Sequence, residues 1–194
     1  MFKQAFVFYC LLVGFLLPAL DSYAQLNPQF NSNLVQGCAP LVVSFSDQST
    51  GGTIIYRAWS FGNGNNSIGN NTSPTASYIN PGTYSVTLTI SDGVDTATIT
   101  KPNYITVFAN PVPDFSFTPN SGCVPLGVQF TDLSNVPLVG VNNYTWDFGD
   151  GSPTVSTINP NHVYQAAGNF TVSLNIVDAN GCVATKDSVS IIQT

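Results

Sequence analysis

Glutamate is absent from this chain. All ten acidic residues are aspartates, and only four Lys or Arg and a single His accompany them in 194 residues. With Glu missing and Lys and Arg scarce, helix propensity is low, while the abundant Thr, Ser, Val, Ile, Asn and Gly favour strands and turns. An all-β fold follows. Beyond the leader the cations are Arg57, Lys101 and Lys186. Three such charges cannot build a basic patch, which excludes nucleic acid and anionic membrane as partners. Other absences narrow the chemistry. No Gly-x-Ser-x-Gly element supplies a nucleophile, no Cys-x-x-Cys supplies a redox pair, and no Asp-x-Asp-x-Asp loop supplies a calcium site. Gly149-Asp150-Gly151 is followed by no lysine and opens no helix, so it is a turn rather than a phosphate loop.

What is present begins with a targeting segment. Lys3 precedes an apolar run from Ala5 to Leu20, and Ser22-Tyr23-Ala24 offers small residues for cleavage. The run is 16 residues, short of the roughly 20 that span a bilayer. Residues 1–24 therefore read as a signal peptide and Gln25 as the mature N-terminus, with a retained N-terminal anchor as the alternative. Cys10 leaves with the leader. No second apolar stretch is long enough to cross a membrane.

Two repeats fill the rest. Pro28-Gln29-Phe30 returns as Pro113-Asp114-Phe115, and Gly37-Cys38-Ala39-Pro40-Leu41 as Gly122-Cys123-Val124-Pro125-Leu126. Val43-Ser44-Phe45-Ser46-Asp47 returns as Val128-Gln129-Phe130-Thr131-Asp132 at the same offset of 85. A repeat of this length is a whole domain, since solenoid periods run about 20 to 50 residues. The expected domains are 25–109 and 110–194, joined by the proline-stiffened Phe108-Ala109-Asn110-Pro111-Val112-Pro113 as a semi-rigid, extended pair. Tyr84, Val86, Leu88 and Ile90 alternate with Ser and Thr, as Phe170, Val172, Leu174 and Ile176 do with polar residues. One face of each strand is thus packed and the other wet. With turns every 8 to 15 residues the pattern is that of two β-sandwiches.

The most distinctive stretch is Tyr144-Thr145-Trp146-Asp147-Phe148-Gly149-Asp150-Gly151, in which a strand bearing a large aromatic anchor breaks at once into a polar turn. Arg57-Ala58-Trp59-Ser60-Phe61-Gly62-Asn63-Gly64 is a weaker copy. Downstream of the first lie His162-Val163-Tyr164, Gly168-Asn169-Phe170-Thr171-Val172-Ser173-Leu174 and Asp178. Together these residues resemble the polycystic kidney disease (PKD) domain. The resemblance covers both repeats and implies immunoglobulin-like β-sandwiches, extracellular and used as modules among others. In the first repeat it rests on Trp59, Phe61, Gly62, Gly64 and Tyr78 with the Tyr84 strand. Ser60, Asn63 and Ala76 replace Asp147, Asp150 and His162, and Gly62 to Pro74 reads as a polar, mobile excursion. The leader ending in Tyr-Ala-Gln and the Gly-Cys-x-Pro-Leu openings are also similar to surface PKD-repeat proteins of Bacteroidota-type bacteria.

Each residue that suggests chemistry has a plainer role. His162 has no nucleophile motif to serve and occupies a position that the PKD pattern commonly fills with His, which implies a structural role. Asp147, Asp150 and Asp178 allow a calcium reading, admitted by the resemblance because some PKD modules of secreted enzymes bind calcium. Turn aspartates, however, more often satisfy backbone amides. No cofactor is expected. Asn65, Asn70, Asn71, Asn143 and Asn169 begin Asn-x-Ser/Thr triplets, common by chance in so Asn- and Thr-rich a chain. Three cysteines remain after the leader. The repeat register predicts a Cys123–Cys182 disulfide and an unpaired Cys38, since Val94 stands where a partner for Cys38 would be.

The function expected from the sequence is non-catalytic. An exported PKD-repeat protein would act in cell-surface adhesion, binding of protein or glycan, or spacing, as a monomer or as part of a longer repeat protein. The alternative is the accessory region of a larger secreted hydrolase, because PKD modules also accompany proteases, chitinases and collagenases.

Overall fold

The structure, a computed structural model, describes residues 25–136 and 140–192. It contains strands and no helix among these residues. The leader proposed for residues 1–24 lies outside them.

In the first repeat, β1 (Phe30–Ser32), β3 (Leu41–Asp47) and β6 (Thr75–Tyr78) form one sheet in the order β1-β3-β6. The facing sheet has five strands in the order β2-β8-β7-β4-β5. These are β2 (Gln36–Cys38), β4 (Tyr56–Ser60), β5 (Asn66–Gly69), β7 (Gly82–Ser91) and β8 (Thr96–Phe108). The second repeat has β9 (Phe115–Thr118), β10 (Leu126–Asp132) and β12 (Asn161–Tyr164) in one sheet. Its other sheet holds β11 (Val141–Asp147), β13 (Gly168–Asp178) and β14 (Val183–Ile192). The Asn-rich stretch expected to be a mobile excursion in the first repeat is partly strand. β5 lies within it and pairs with β4 through Arg57↔Gly69 to Ser60↔Asn66. A Thr/Ser/Asn-rich segment lacks the apolar alternation that marks a strand, so the backbone ladder alone reveals it.

Each sandwich has its own core. Val86, Leu88 and Ile90 in β7, and Val172, Leu174 and Ile176 in β13, are fully buried, as period-2 alternation requires. Trp59 and Trp146 lie between the sheets at 1% and 0% exposure. Trp59 meets the edge of Phe30 at 5.4 Å, and Trp146 meets that of Phe115 at 5.1 Å. Edge-to-face contacts of this kind add to the burial of large aromatic surface. Each indole N–H also donates to a carbonyl, that of Asn71 at 3.1 Å and that of Thr157 at 2.9 Å. That satisfies the one polar atom the core takes in.

The cysteines pair across the repeats. Cys38 is bonded to Cys182, and Cys123 is free and exposed. This corrects the expected Cys123–Cys182 bridge, and the strand registers give the reason. Gly82 at the start of β7 pairs with Val107, and Cys38 pairs in parallel with Phe108, so Cys38 sits at the end of the sandwich where β7 begins. In the second repeat Leu126, three residues after Cys123, pairs with Tyr164, just before β13 begins at Gly168. Cys182 lies in the turn after Asp178, at the other end of the 11-residue β13. At about 3.3 Å per residue, some 30 Å of strand separates the two cysteines of that repeat, whereas a disulfide needs Cα atoms about 5.5–6 Å apart. The partner for Cys182 must come from outside its own sandwich. The second repeat begins at that same end, because Phe115 of β9 pairs with Asp132 at the far end of β10. Its β13–β14 turn therefore meets the first repeat's Cys38 corner.

Replacing Trp146 by Ala should destabilise the second sandwich by about 3–5 kcal/mol, the usual cost of deleting a buried large aromatic. Asp147→Asn, at an exposed position that keeps an oxygen acceptor, should cost far less. Denaturant unfolding followed by circular dichroism compares the two; a near-neutral Trp146→Ala would contradict the core described.

Candidate functional site

The motif residues assemble one corner in each sandwich. Phe61 and Phe148 are buried just after β4 and β11, and the following glycines turn the chain back. Gly62 and Gly149 each have φ of 75°, in the left-handed region that side chains avoid. A Cβ on Gly149 would lie 2.3 Å from the Thr171 carbonyl oxygen, and one on Gly62 would lie 2.5 Å from that of Ser85. Backbone presses on backbone there, and only glycine fits. Gly64 and Gly151 also have positive φ but open space around them. The corner is closed by Tyr78 and Tyr164, both fully buried, whose hydroxyls donate to the carbonyls of Phe61 at 3.1 Å and Phe148 at 3.2 Å.

In the second repeat this corner carries the lone histidine. The His162 ring lies flat on Phe148, centroids 4.1 Å apart, and its Nε2 is 2.8 Å from Asp150 Oδ2. Tyr164 meets the ring edge-on at 4.6 Å. Asp150 Oδ1 accepts the Ser152 N–H. Burial pushes the Asp150 carboxyl up, but the hydrogen bonds from Ser152 and His162 outweigh it and hold the group below its ordinary 3.8. The imidazole is therefore held on both faces of its function, by a ring and by a carboxylate, as a structural strut. The first repeat replaces this strut. Asn63 donates from its side-chain amide to the Ser77 carbonyl at 2.9 Å, and Ala76 leaves no ring to stack.

Beside this corner lies a cleft of about 420 Å³ lined by Asn63, Asn65, Ser77, Ile79, Asn80 and Tyr84. Its walls offer amides, hydroxyls and one aromatic side and carry no formal charge. The sequence pattern does not announce it, because its residues come from the turn after β4, the end of β6 with the turn beyond it, and the start of β7, and the pattern match is weakest there.

Of the three aspartates of the calcium reading, Asp147 and Asp150 share the corner of the second repeat and Asp178 lies at the other end of the sheet, each accepting backbone amides. Asp147 Oδ1 takes the Gly149 N–H, and Asp178 Oδ1 takes those of Asn180 and Cys182. Asp178 is fully buried, and its Oδ2 has no hydrogen-bond partner. Among the described residues no three His, Cys or Asp side chains group as a bound metal ion requires. Asp178 instead holds the turn that presents Cys182, through the 2.8 Å bond to the Cys182 amide. In the first repeat the same turn is built by Asp92, whose Oδ1 accepts the amides of Val94 and Asp95. Asp92 N donates to the Asp95 carbonyl as Asp178 N does to that of Cys182. Asp95, not Val94, is thus the counterpart of Cys182.

Two consecutive segments, residues 26–107 and 108–192, match the PKD domain family. The chain belongs to that family. A microbial collagenase of Vibrio alginolyticus is 35% identical over 89 residues, 45% of this chain and 11% of that protein. Human polycystin-1 is 29% identical over 119 residues, 60% of this chain and 3% of that protein. The chain thus spans only a small part of the curated relatives it matches. Among solved structures, the PKD1 domain of Vibrio anguillarum Epp is 28% identical over 44% of this chain and 95% of that domain, with a TM-score of 0.39. The matched family accounts for both sandwiches, and PKD domains are non-catalytic modules.

Two outcomes check the corner. Gly149→Ala should destabilise the second PKD module well beyond the roughly 1–2 kcal/mol of left-handed strain, whereas Gly151→Ala should cost no more than that strain; chemical denaturation of both variants decides. The stability Asp150 contributes is complete above its ordinary 3.8 and is lost as pH falls through its lowered folded value. Acid unfolding of the second module should accordingly show less pH dependence below about pH 4 in Asp150→Asn than in the parent chain.

Proposed function

We propose that this chain is an exported, non-catalytic pair of PKD modules that spaces and orients neighbouring parts of a cell-surface or secreted protein. The observation that carries this reading is the Cys38–Cys182 bond. Two sandwiches with separate cores are tied at the corner where one ends and the next begins. A peptide linker alone leaves neighbouring domains free to move; a linker plus a covalent tie between the modules removes much of that freedom. A disulfide also suits an oxidising, extracellular setting, in keeping with export by the leader at 1–24 and with mature modules over 25–109 and 110–194. Binding of a protein or glycan is a further part of the proposal. The uncharged, amide- and hydroxyl-rich cleft beside Tyr84 suits a neutral polar ligand better than a charged one.

A second reading is favoured by the relatives. Collagenases of Vibrio alginolyticus and Bacillus cereus share PKD sequence with this chain over 11% and 6% of their lengths. The same pair would then serve as the accessory region of a larger secreted hydrolase. In either case the modules themselves are not the catalyst, because the one imidazole is committed to Asp150 and Phe148.

Small-angle scattering of the oxidised and reduced chain tests the spacing role. The radius of gyration should rise on reduction and in Cys38→Ser, while tryptophan emission stays that of buried indoles. An unchanged radius would remove the basis for the reading. The chain should also hydrolyse no peptide, collagen or glycoside substrate, and turnover abolished by His162→Ala would overturn its non-catalytic assignment.

A further inference from the structure

We propose that Cys123 is the first half of a second inter-module disulfide, whose other half is the turn cysteine of a further PKD module joined beyond Thr194. Each module has two places for a cysteine. One is the opening Gly-Cys-x-Pro-Leu, filled by Cys38 and Cys123; the other is the turn between the last two strands, filled by Asp95 in the first module and Cys182 in the second. The observed bond joins the opening cysteine of one module to the turn cysteine of the next. The first module, which receives no such bond here, has Asp95 rather than cysteine in its turn.

Cys123 repeats the sequence motif of Cys38 and its glycine–leucine packing, though it lies in no strand like β2. In both openings a Cβ on the preceding glycine would meet a leucine Cδ1, 2.6 Å from Leu41 for Gly37 and 2.7 Å from Leu126 for Gly122. Both openings thus share one tight local packing. Registers align the module exits as well. Gly82 pairs with Val107 and Gly168 pairs with Ile192, so Ile192 is the counterpart of Val107 and Thr194 that of Ala109. Cys38 stands beside Phe108, where the chain leaves the first module. The repeat puts Cys123 at the corresponding position of the second module. A third module following Thr194 as the second follows Ala109 would bring its β13–β14-type turn to Cys123, whose thiol is exposed. Within the second module itself, the length of β13 keeps Cys182 from Cys123. This inference rests on the tandem-module reading above but not on any ligand or on the spacing role. Scattering that overturns spacing would leave the disulfide prediction standing.

The experiment appends a copy of residues 110–194 directly after Thr194 of the full chain and oxidises the product with oxidised glutathione. The Cys123 thiol and the added turn thiol form one S–S bond and release two protons, and glutathione disulfide takes the two electrons and becomes two glutathione thiols. Cleavage before Asp without reduction separates the peptides 21–46, 114–131 and 178–186, which carry Cys38, Cys123 and Cys182. The expected products are the 21–46 peptide linked to a 178–186 peptide, and the 114–131 peptide linked to another 178–186 peptide. The second product should disappear in Cys123→Ser while the first persists, which also shows that the original pair still folds. Three results would overturn the proposal: a Cys123 thiol that stays fully alkylatable, Cys123 linked to Cys123 of a second copy, and a 114–131 linkage that survives Cys123→Ser, which would mean that the added module closes on itself.

Discussion

The fold depends on one arrangement repeated in each module, an indole wedged between two sheets with its N–H spent on a carbonyl. Trp59 and Trp146 carry the largest fully buried side chains. Around them Phe30, Phe45 and Phe61, or Phe115, Phe130 and Phe148, close the core from both sheets. Strands β4 and β11 end at the edge of the core, with Phe61 and Phe148 buried just beyond them. The glycine that follows lets the chain turn where the next strand's carbonyl is too close for any Cβ. The tyrosine two-thirds of the way along each module then ties that corner shut. Core, turn and tie are three aspects of a single constraint.

The two modules answer that constraint with different surface chemistry. In the second, Asp150 and His162 brace the corner through a carboxylate, an imidazole and a stacked phenyl ring. In the first, an asparagine amide bonded to a backbone carbonyl performs the bracing, and a polar cleft lies beside it. The substitution of Asn for Asp and Ala for His is therefore more than decay of a pattern. It exchanges an ionisable strut for an uncharged amide while leaving the buried tyrosine and phenylalanine in place. Edge pairing changes too, since β5 extends the first module's sheet, whereas among the described residues of the second the Trp146↔Val155 bridge stands at that position.

The disulfide links these local features to the arrangement of the pair. Asp178, fully buried and carrying one unpartnered oxygen, accepts the Cys182 amide and so fixes the turn from which the sulfur projects. On the other side, β2 runs parallel to the end of β8, and the Ala39 amide donates to the Phe108 carbonyl. Asn110 in the linker donates to Ala39 as well. Opening strand, module exit and linker are thus bound to one another beside the disulfide.

Much of this was written in the sequence. Period-2 alternation in Tyr84–Ile90 and Phe170–Ile176 identifies the core strands, because burial of one face leaves a mark at every second residue. The Trp-x-Phe-Gly-x-Gly turns and the offset of 85 between repeats identify two sandwiches and the corner residues, since glycine at a close backbone approach has no substitute. The cysteine pairing was not legible. Chain separation and repeat position say nothing about which end of a sandwich a residue occupies; only the strand registers show that Cys123 and Cys182 lie at opposite ends of one sandwich while Cys38 and Cys182 meet across two. The strand hidden in Asn66–Gly69 and the cleft beside Tyr84 were equally invisible, because backbone ladders and spaces between turns leave no periodic trace in side-chain polarity. Sequence alone determined what each module is, through local burial and turn chemistry, and only the tertiary structure decided how the modules are joined, because that rests on distances between residues the chain holds far apart.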